Sequence, residues 1–254
     1  MVDIHSHLLY GLDDGPVTLE DSVAMVRMAV QHGTTDLVVT PHANHEFVFD
    51  PERIAQRLAE VCDASEHALR LHRGCDLHLS FQNIEDAIVN PSKYSINGKK
   101  YLLVEFSELM IFNNTADIFS RFMQAGLRPI VTHPERNALL RRRKDQIGAW
   151  VDAGAYVQLT AQSVTGQFGK AAQNCCRDLL DRGLAHFVAS DAHDCEYRPP
   201  RLDQAFAWLA KYYGEKTAEL LCVINPRAVL SGDPVEALPP KPAPESRGWL
   251  RFWR

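Results

Sequence analysis

Several features of membrane, secreted and nucleic-acid-binding proteins are missing from this sequence of 254 residues. No stretch approaches the roughly 20 consecutive apolar residues that a helix needs to span a bilayer. The first residues show no basic segment followed by an apolar one, so we expect no secretory signal and a cytoplasmic location. With 27 Lys and Arg against 32 Asp and Glu, the net charge of -5 argues against a nucleic-acid partner held on a large basic surface. The 46% of hydrophobic residues predict a soluble globular protein with a full core.

The six cysteines lack the spacing of a disulfide framework, and none stands in a C-x-x-C motif, so we expect reduced thiols. Two matches to C-x5-R, the loop motif of cysteine-based tyrosine phosphatases, begin at Cys176 and Cys195. That loop must turn backbone N–H groups towards a dianion. The first match is a glycine-free helical pattern with two carboxylates, and the second contains Pro199 and Pro200, which have no N–H. We therefore reject a cysteine-based mechanism.

Apolar, β-branched segments alternate with helical patterns through most of the chain. Strands are predicted at 2–5, 36–41, 71–75, 101–105, 129–133, 155–160 and 185–190, and helices at 18–32, 51–69, 115–126, 144–153, 169–183, 202–213 and 215–222. This alternation indicates a mainly parallel sheet, either doubly wound or closed. Seven strands in one domain favour an α/β fold of the distorted TIM-like (β/α)7 barrel type, one strand short of the usual eight.

From about residue 233 the composition changes to a Pro-rich segment that also contains Ala, Glu and Lys. We predict a barrel domain over residues 1–232 and a disordered C-terminal tail over residues 233–254. The chain ends in Trp-Leu-Arg-Phe-Trp-Arg. This end is either a loosely packed tail or a peripheral contact with a partner or an anionic membrane surface.

Ligand-type side chains follow the predicted strands at their C-terminal ends. His5 and His7 form an H-x-H motif, in which the alternation of a strand places both imidazoles on one face. Asp191 and His193 repeat this spacing at the last strand. Because the C-terminal ends of parallel barrel strands share one rim, six of the seven strands, with the loop after the first, would bring the candidates together. The candidates are His5, His7, Asp14, His42, Asp76, Glu105, His133, Asp191 and His193.

The number and chemistry of these candidates predict a site for several metal ions. One tetrahedral zinc ion uses about four ligands, so nine donors suggest two or three ions with bridging carboxylates. Imidazole and carboxylate without thiolate suit Mn, Fe or Zn. Beside them, Arg136 and Arg198 have the planar guanidinium that matches phosphate oxygens, with a surface salt bridge as the alternative role. The run from Arg141 to Arg143 is interpreted as a solvated helix start.

In order and spacing, these motifs resemble the polymerase-and-histidinol-phosphatase (PHP) superfamily, and within it the bacterial capsule-associated protein-tyrosine phosphatases. The similarity extends from residue 1 to about 231. It is carried by Asp-Ile-His-Ser-His at 3–7, Asp-Asp-Gly-Pro at 13–16, Glu-Phe-Ser at 105–107, His-Pro-Glu-Arg at 133–136, Ala-Ser-Asp-Ala-His at 189–193 and Arg-Pro-Pro at 198–200.

The resemblance implies three divalent metal ions, with manganese favoured over iron and zinc. One ion would be held by His5, His7, Asp76 and Asp191, a second by Asp76, Glu105 and His133, and a third by Asp14, His42 and His193. Arg136 and Arg198 would bind the phosphate. Members of the family usually carry glutamate where this chain has Asp76.

The implied activity is hydrolysis of phosphotyrosine by a metal-activated hydroxide, on the tail of a bacterial tyrosine kinase that controls capsule or exopolysaccharide synthesis. One alternative is a histidinol-phosphate phosphatase on the same scaffold. The others are a non-catalytic, metal-bound module that docks on such a kinase and a nuclease, for which a more basic groove is expected. The Asp-Asp-Gly-Pro and Arg-Pro-Pro elements favour the tyrosine group. The oligomeric state stays open.

Overall fold

The computed structural model describes residues 1–241, which form nine strands and eleven α-helices. The strands are β1 (Val2–Ser6), β2 (Asp36–Val39), β3 (His42–Ala43), β4 (Arg70–Arg73), β5 (Asp76–His78), β6 (Tyr101–Glu105), β7 (Arg128–Thr132), β8 (Tyr156–Thr160) and β9 (Phe187–Ala189). The helices are α1 (Leu19–Gln31), α2 (Pro51–Ala64), α3 (Phe81–Val89), α4 (Pro91–Tyr94), α5 (Thr115–Gln124), α6 (Lys144–Asp152), α7 (Ala161–Thr165), α8 (Lys170–Asp181), α9 (Asp203–Tyr213), α10 (Glu215–Glu219) and α11 (Asn225–Ser231). A π-helical turn, Leu220–Ile224, joins the last two.

The nine strands occupy seven positions around a parallel barrel, which we call staves, because two of these positions are each made of two short strands. β2 and β3 make one stave that is interrupted at residues 40–41, and β4 and β5 make the next, interrupted at residues 74–75. The parallel pairs run β1-β2-β4 on one side and β3-β5-β6-β7-β8-β9 on the other. Hydrogen bonds continue across the interruptions, because the Gly74 N–H donates to the Val39 carbonyl at 2.9 Å and the Asp76 N–H to the Pro41 carbonyl at 3.2 Å.

The barrel closes between its first and last staves. The Asp191 N–H donates to the His5 carbonyl at 2.9 Å, and the His7 N–H donates to the Ala192 carbonyl at 2.8 Å. Ser6 and Ala192 form a parallel bridge between these two bonds. The (β/α)7 barrel predicted from the alternation of strands and helices is therefore confirmed.

Apolar side chains fill much of the barrel interior and the layer between the barrel and the helices. Val38, Leu103, Ile130 and Phe187 come from four staves and belong to one buried cluster, which Val229 of α11 joins. The neighbouring residues on these strands, such as Leu102 and Val131, instead pack in the outer layer. Because side chains alternate along a strand, this division leaves inward positions at the strand ends for polar residues.

The helix predictions were correct for the larger helices and wrong in some boundaries. The helix expected at 51–69 ends at Ala64, because Glu66 and His67 adopt positive φ angles of 54° and 53° that an α-helix does not allow. Four short helices were not predicted: α3, α4, α7 and α11. A capping box begins α1 at Thr18, since Asp21 at the third helical position bonds back to it.

The prediction of a disordered tail from residue 233 was wrong for residues 233–241. Leu238 is buried, and the side chain of Asn225 bonds both to the N–H and to the carbonyl of Glu236. The segment passes so close to Gly183 that a Cβ there would lie 2.5 Å from the Leu238 carbonyl oxygen. The rest of the predicted tail, including the Trp-rich end with its expected partner or membrane contact, lies outside the described residues. Within residues 1–241 no helix is both long and apolar enough to cross a bilayer.

Candidate metal centre

The C-terminal ends of the staves carry the predicted donors to one mouth of the barrel. His5 lies in β1, His42 begins β3, Asp76 begins β5 and Glu105 ends β6. His133 follows β7, and the Asp191-x-His193 pair follows β9. Two of these residues have positive φ although neither is glycine: 31° at His133 and 54° at Asp191. Such conformations are uncommon outside glycine, and residues held in them are concentrated at functional sites.

All nine predicted side chains take part in four overlapping groups, in each of which the donor atoms lie within 4.8 Å of one another. The groups are His7, Asp14, His42 and His193; His5, His7 and Asp76; His5, His133 and Asp191; and His42, Asp76 and Glu105. Four members, His5, His7, Asp76 and Asp191, are at most 1% exposed. The structure thus brings the predicted donors together, while their assignment to particular ions stays a prediction.

The unpaired polar atoms at the mouth fit bound cations better than they fit a network of hydrogen bonds. Both carboxylate oxygens of Asp76, Nδ1 of His42 and Nε2 of His193 are buried without a hydrogen-bond partner among residues 1–241. The Nε2 atoms of His5 and His7 face each other at 3.3 Å. Buried polar atoms are rarely left unpaired, and several convergent lone pairs are what divalent ions use. These donors therefore fit a group of divalent metal ions.

The carboxylates at the mouth raise the pKa of two of the imidazoles. Burial alone would lower the pKa of His5, but Asp191 and Asp76 raise it to about 9. In the same way, burial would lower the pKa of His42, whereas Asp14 and Asp76 raise it to about 11. The two aspartates stay ionised, since the imidazoles hold the pKa of Asp76 and of Asp191 well below the usual range against the effect of burial.

Two other candidate ligands are neutral imidazoles. Burial lowers the pKa of His133 to about 4, and burial together with the neighbouring His7 lowers the pKa of His193 to about 4. A neutral imidazole has a lone pair available for a metal ion. His133 lies between two carboxylates, with its Nε2 at 3.8 Å from Glu105 Oε1 and 3.9 Å from Asp191 Oδ2.

Polar residues behind the candidate ligands orient them. Asp13 accepts a hydrogen bond from His7 Nδ1 at 2.7 Å and from the His42 backbone N–H at 3.1 Å. Gln158 of β8 contacts His5 Nδ1 through Oε1 at 3.0 Å. Such contacts fix the ring orientation and the tautomer of a metal-binding histidine. Asp13 belongs to the Asp-Asp-Gly-Pro motif at 13–16, whereas no local sequence pattern identified Gln158.

Both predicted phosphate-binding arginines reach the mouth. Arg198 Nη2 contacts Asp191 Oδ2 at 2.5 Å, and Arg136 Nη1 contacts the same oxygen. The Arg136 guanidinium also lies over the Phe168 ring, 4.9 Å from its centre. Two guanidinium groups that share one anionic oxygen can also bind together to a second anion, such as a phosphate, placed close to that oxygen.

The loops that carry these arginines are held by side chains. Asp194 Oδ1 accepts the backbone N–H groups of residues 196, 197 and 198 at 2.6–3.1 Å, which shapes the loop before Arg198. Arg141 Nη1 donates to the carbonyls of Glu135 and Arg136 at 3.1 and 2.8 Å. The interpretation of Arg141 as a solvated helix start was therefore wrong, because it anchors the loop of Arg136.

The comparison with known proteins agrees with this geometry. Residues 1–231 match the family described as capsular polysaccharide synthesis, CpsB/CapC. The chain belongs to the CpsB/CapC family. Its relatives include CapC of Staphylococcus aureus, which is 34% identical over 98% of this chain and 99% of its own length. They also include the tyrosine-protein phosphatase CpsB of Streptococcus pneumoniae, which is 30% identical over 91% of this chain and 98% of its own length.

A solved structure extends the similarity to three dimensions. It comes from crystallographic work on YwqE from Bacillus subtilis and CpsB from Streptococcus pneumoniae, described as unique metal-dependent tyrosine phosphatases. It matches this CpsB/CapC chain with a TM-score of 0.87 and 29% identity, over 96% of this chain and 100% of the other. The family resemblance read from the sequence motifs is thus confirmed.

In this family member the cysteines of the two C-x5-R matches lie in positions unsuited to nucleophilic attack. Cys176 is fully buried in α8, and Arg182 caps the same helix, so this C-x5-R match is not a phosphate-binding loop. Burial raises the pKa of the Cys176 thiol well above its ordinary value. Burial and the carboxylates of Asp194, Asp21 and Glu196 raise the pKa of Cys195. All six cysteines are free thiols.

Proposed function

We propose that this CpsB/CapC protein is a metal-dependent phosphotyrosine-protein phosphatase without a cysteine nucleophile. The observation that carries the proposal is the convergence of nine imidazole and carboxylate side chains and two guanidinium groups at one mouth of the barrel. This arrangement joins a site for cations to donors that match phosphate oxygens. The name of CpsB as a tyrosine-protein phosphatase, and the description of CpsB and YwqE as metal-dependent, support the same activity here.

We infer three divalent ions, with manganese favoured over iron and zinc. The proposed ligand sets are His5, His7, Asp76 and Asp191; Asp76, Glu105 and His133; and Asp14, His42 and His193. The unpaired oxygens of Asp76 support its place in two of these sets. When bound, such ions lower the pKa of coordinated water and offset the charge that develops on a phosphoryl group.

The chain's own groups would bind and orient the substrate. Arg136 and Arg198 are 29% and 22% exposed, so their charges are only partly screened by water. We assign them to the oxygens of the phosphate. A tyrosinate leaving group, with an unperturbed pKa of about 10, needs less protonation than an alkoxide, so a dedicated general acid is not required.

For the substrate, we propose a phosphotyrosine on the tail of a bacterial tyrosine kinase that controls capsule or exopolysaccharide synthesis. The description of the family by capsular polysaccharide synthesis supports this context. The proposed partner is thus a protein, and its phosphotyrosine must enter a mouth that is open to solvent at Asp14, which is 49% exposed.

The experiment that tests this function combines metal analysis with turnover. The purified protein is assayed on p-nitrophenyl phosphate, a phosphotyrosine peptide and histidinol phosphate, in manganese and after chelation. We expect peptide hydrolysis in manganese, loss after chelation, recovery on adding the metal back, and full activity in Cys176→Ser. Full activity of a metal-free preparation would refute the proposal. A strong preference for histidinol phosphate would show that the substrate class is wrong.

A further inference from the structure

A pocket of about 420 Å³ adjoins the candidate metal centre and shares two of its walls, Asp14 and His193. One side comes from the loop after β1 and the start of α1, and the other from the loop after β9. His193 is 5% exposed, and its Nε2 has no hydrogen-bond partner within the described part of the chain. The volume lies in the range of ligand clefts, roughly 300–1,000 Å³. The pocket therefore borders the candidate metal centre at Asp14 and His193.

The pocket has apolar walls and an acidic rim. Pro16 and Met25 are buried beneath it, and Val17 is 81% exposed at its side. Besides Asp14 of the metal centre, the lining carboxylates are those of Asp21, Asp194 and Glu196, and the residues that line the pocket include no lysine or arginine. An exposed apolar side chain next to carboxylates suits an amphipathic cation, because the stem of such a cation packs on apolar surface and its head pairs with an anion.

The rim carboxylates have no cationic partner within residues 1–241. Asp21 Oδ2 is bound to Thr18 in the capping box, and Asp194 Oδ1 accepts backbone N–H groups. None of the ion pairs made by Lys or Arg in the described chain involves Asp21, Asp194 or Glu196. Their negative charge is therefore available to a cationic group of a ligand. The neighbouring metal centre, in contrast, would bind the anionic phosphate.

We propose that this pocket binds a lysine or arginine side chain of the substrate, close in sequence to the phosphotyrosine. The inference rests on the proposed phosphatase function. The methylene stem would lie along Val17 and Met25, and the cationic head would reach Glu196 and its neighbours on the rim. With the phosphate at Arg136 and Arg198, the protein would then recognise two groups of opposite charge on one substrate, the phosphate and the cationic side chain. Substrates with acidic residues at the same position would be repelled.

The test uses phosphotyrosine peptides that differ at one position only, with the full-length protein in manganese. Lysine, norleucine or glutamate is placed in turn at the two positions on either side of phosphotyrosine. We expect kcat/KM at the best position to favour lysine over glutamate by about tenfold and over norleucine by about threefold, with both ratios falling as salt screens the rim. Norleucine keeps the stem without the charge, so it separates the two contributions.

Protein variants check that the preference comes from this rim. Glu196→Lys should reduce the lysine-to-glutamate ratio to one or below, and Glu196→Gln should reduce it partly. Glu236→Lys makes the same charge change at an exposed residue near the other end of the barrel, where Asn225 bonds both to its backbone and to the carbonyl of His186. That control should keep the wild-type ratio and the wild-type turnover of p-nitrophenyl phosphate.

The outcomes separate the pocket from the phosphatase activity. Hydrolysis of all peptides in manganese at equal rates would overturn the pocket and leave the proposed function standing. An unchanged ratio in Glu196→Lys would also overturn it, as would equal preference for lysine and norleucine. If neither the peptides nor p-nitrophenyl phosphate were hydrolysed in manganese, the proposed function and the pocket would both fail.

Discussion

Asp76→Asn is the sharpest test of the metal centre. Asp76 belongs to two of the four donor groups and is fully buried, and neither of its carboxylate oxygens has a hydrogen-bond partner among residues 1–241. Asparagine has nearly the same shape but one weaker, neutral donor oxygen in place of a carboxylate. We expect the variant to fold and to lose most of the stabilisation that manganese gives the wild type.

The magnitude follows from binding linkage. An ion present at about 100 times its Kd stabilises the folded state by about 2.7 kcal/mol if it binds only that state. For a domain of this size, about 1 kcal/mol moves Tm by about 2–4 °C. One bound ion should therefore raise Tm by about 5–11 °C. Because Asp76 serves two groups, its loss should remove the larger part of the total shift.

The assay is Tm by circular dichroism for chelated protein and for the same protein after manganese is restored. Asp36→Asn is the matched control, because Asp36 is also a buried aspartate but bonds to Arg70 at the opposite end of the barrel. The control should lower Tm in both conditions and keep the manganese-induced shift. An equal shift in wild type and Asp76→Asn would refute the reasoning, and so would a wild type that manganese does not stabilise.

Three further predictions concern the arginines and pH. Arg198→Ala should lower kcat by about 10²–10³-fold with unchanged metal content, as loss of a charge-stabilising donor does; wild-type turnover would exclude a phosphate-binding role. Arg141→Ala should lower kcat by about tenfold through displacement of Arg136, again with unchanged metal content, and Arg141→Lys should recover part of the loss; full activity of the alanine variant would contradict this. Burial lowers the pKa of His186 to about 4, so its neutral form contributes stability that is fully present above about pH 6.5 and lost as pH falls through 4, roughly 3 kcal/mol. His186→Asn keeps an acceptor for the Val157 N–H, and the unfolding free energy of the metal-free variant in urea should fall less between pH 7 and pH 4; parallel curves for both proteins would contradict it.

The parts of the site that the sequence predicted are those encoded by strand pattern alone. A polar residue such as Glu105 or His133 at the end of an apolar, β-branched segment stands out, and parallel strands of a barrel have their C-terminal ends on one rim. The convergence of donors therefore needed only the order of strands. The strained φ of His133 and Asp191 gave no signal in the sequence, since residue type does not reveal it.

The parts that the sequence did not predict depend on long-range contacts. Gln158 looks like an ordinary polar residue in β8 until His5 is placed opposite it. The Pro-rich composition of residues 233–241 predicted disorder, yet the side chain of Asn225 bonds to this segment, and the missing side chain of Gly183 lets the segment pass close to the barrel. Composition indicates whether a segment would be ordered in isolation. It does not include the surfaces of other elements on which the segment can pack.

The loops after β7 and β9 each join a candidate metal ligand to a phosphate-binding arginine within a few residues. One runs from His133 to Arg136, and the other from Asp191 to Arg198, whose carbonyl accepts the His193 N–H at 2.9 Å. The positive φ at the start of each loop costs about 1–3 kcal/mol, which the surrounding bonds must sustain. A change at the strained residue should therefore affect metal and phosphate together. A change at Arg141, whose side chain donates to the carbonyls of the first loop, should affect phosphate binding alone, so the two contributions can be measured separately.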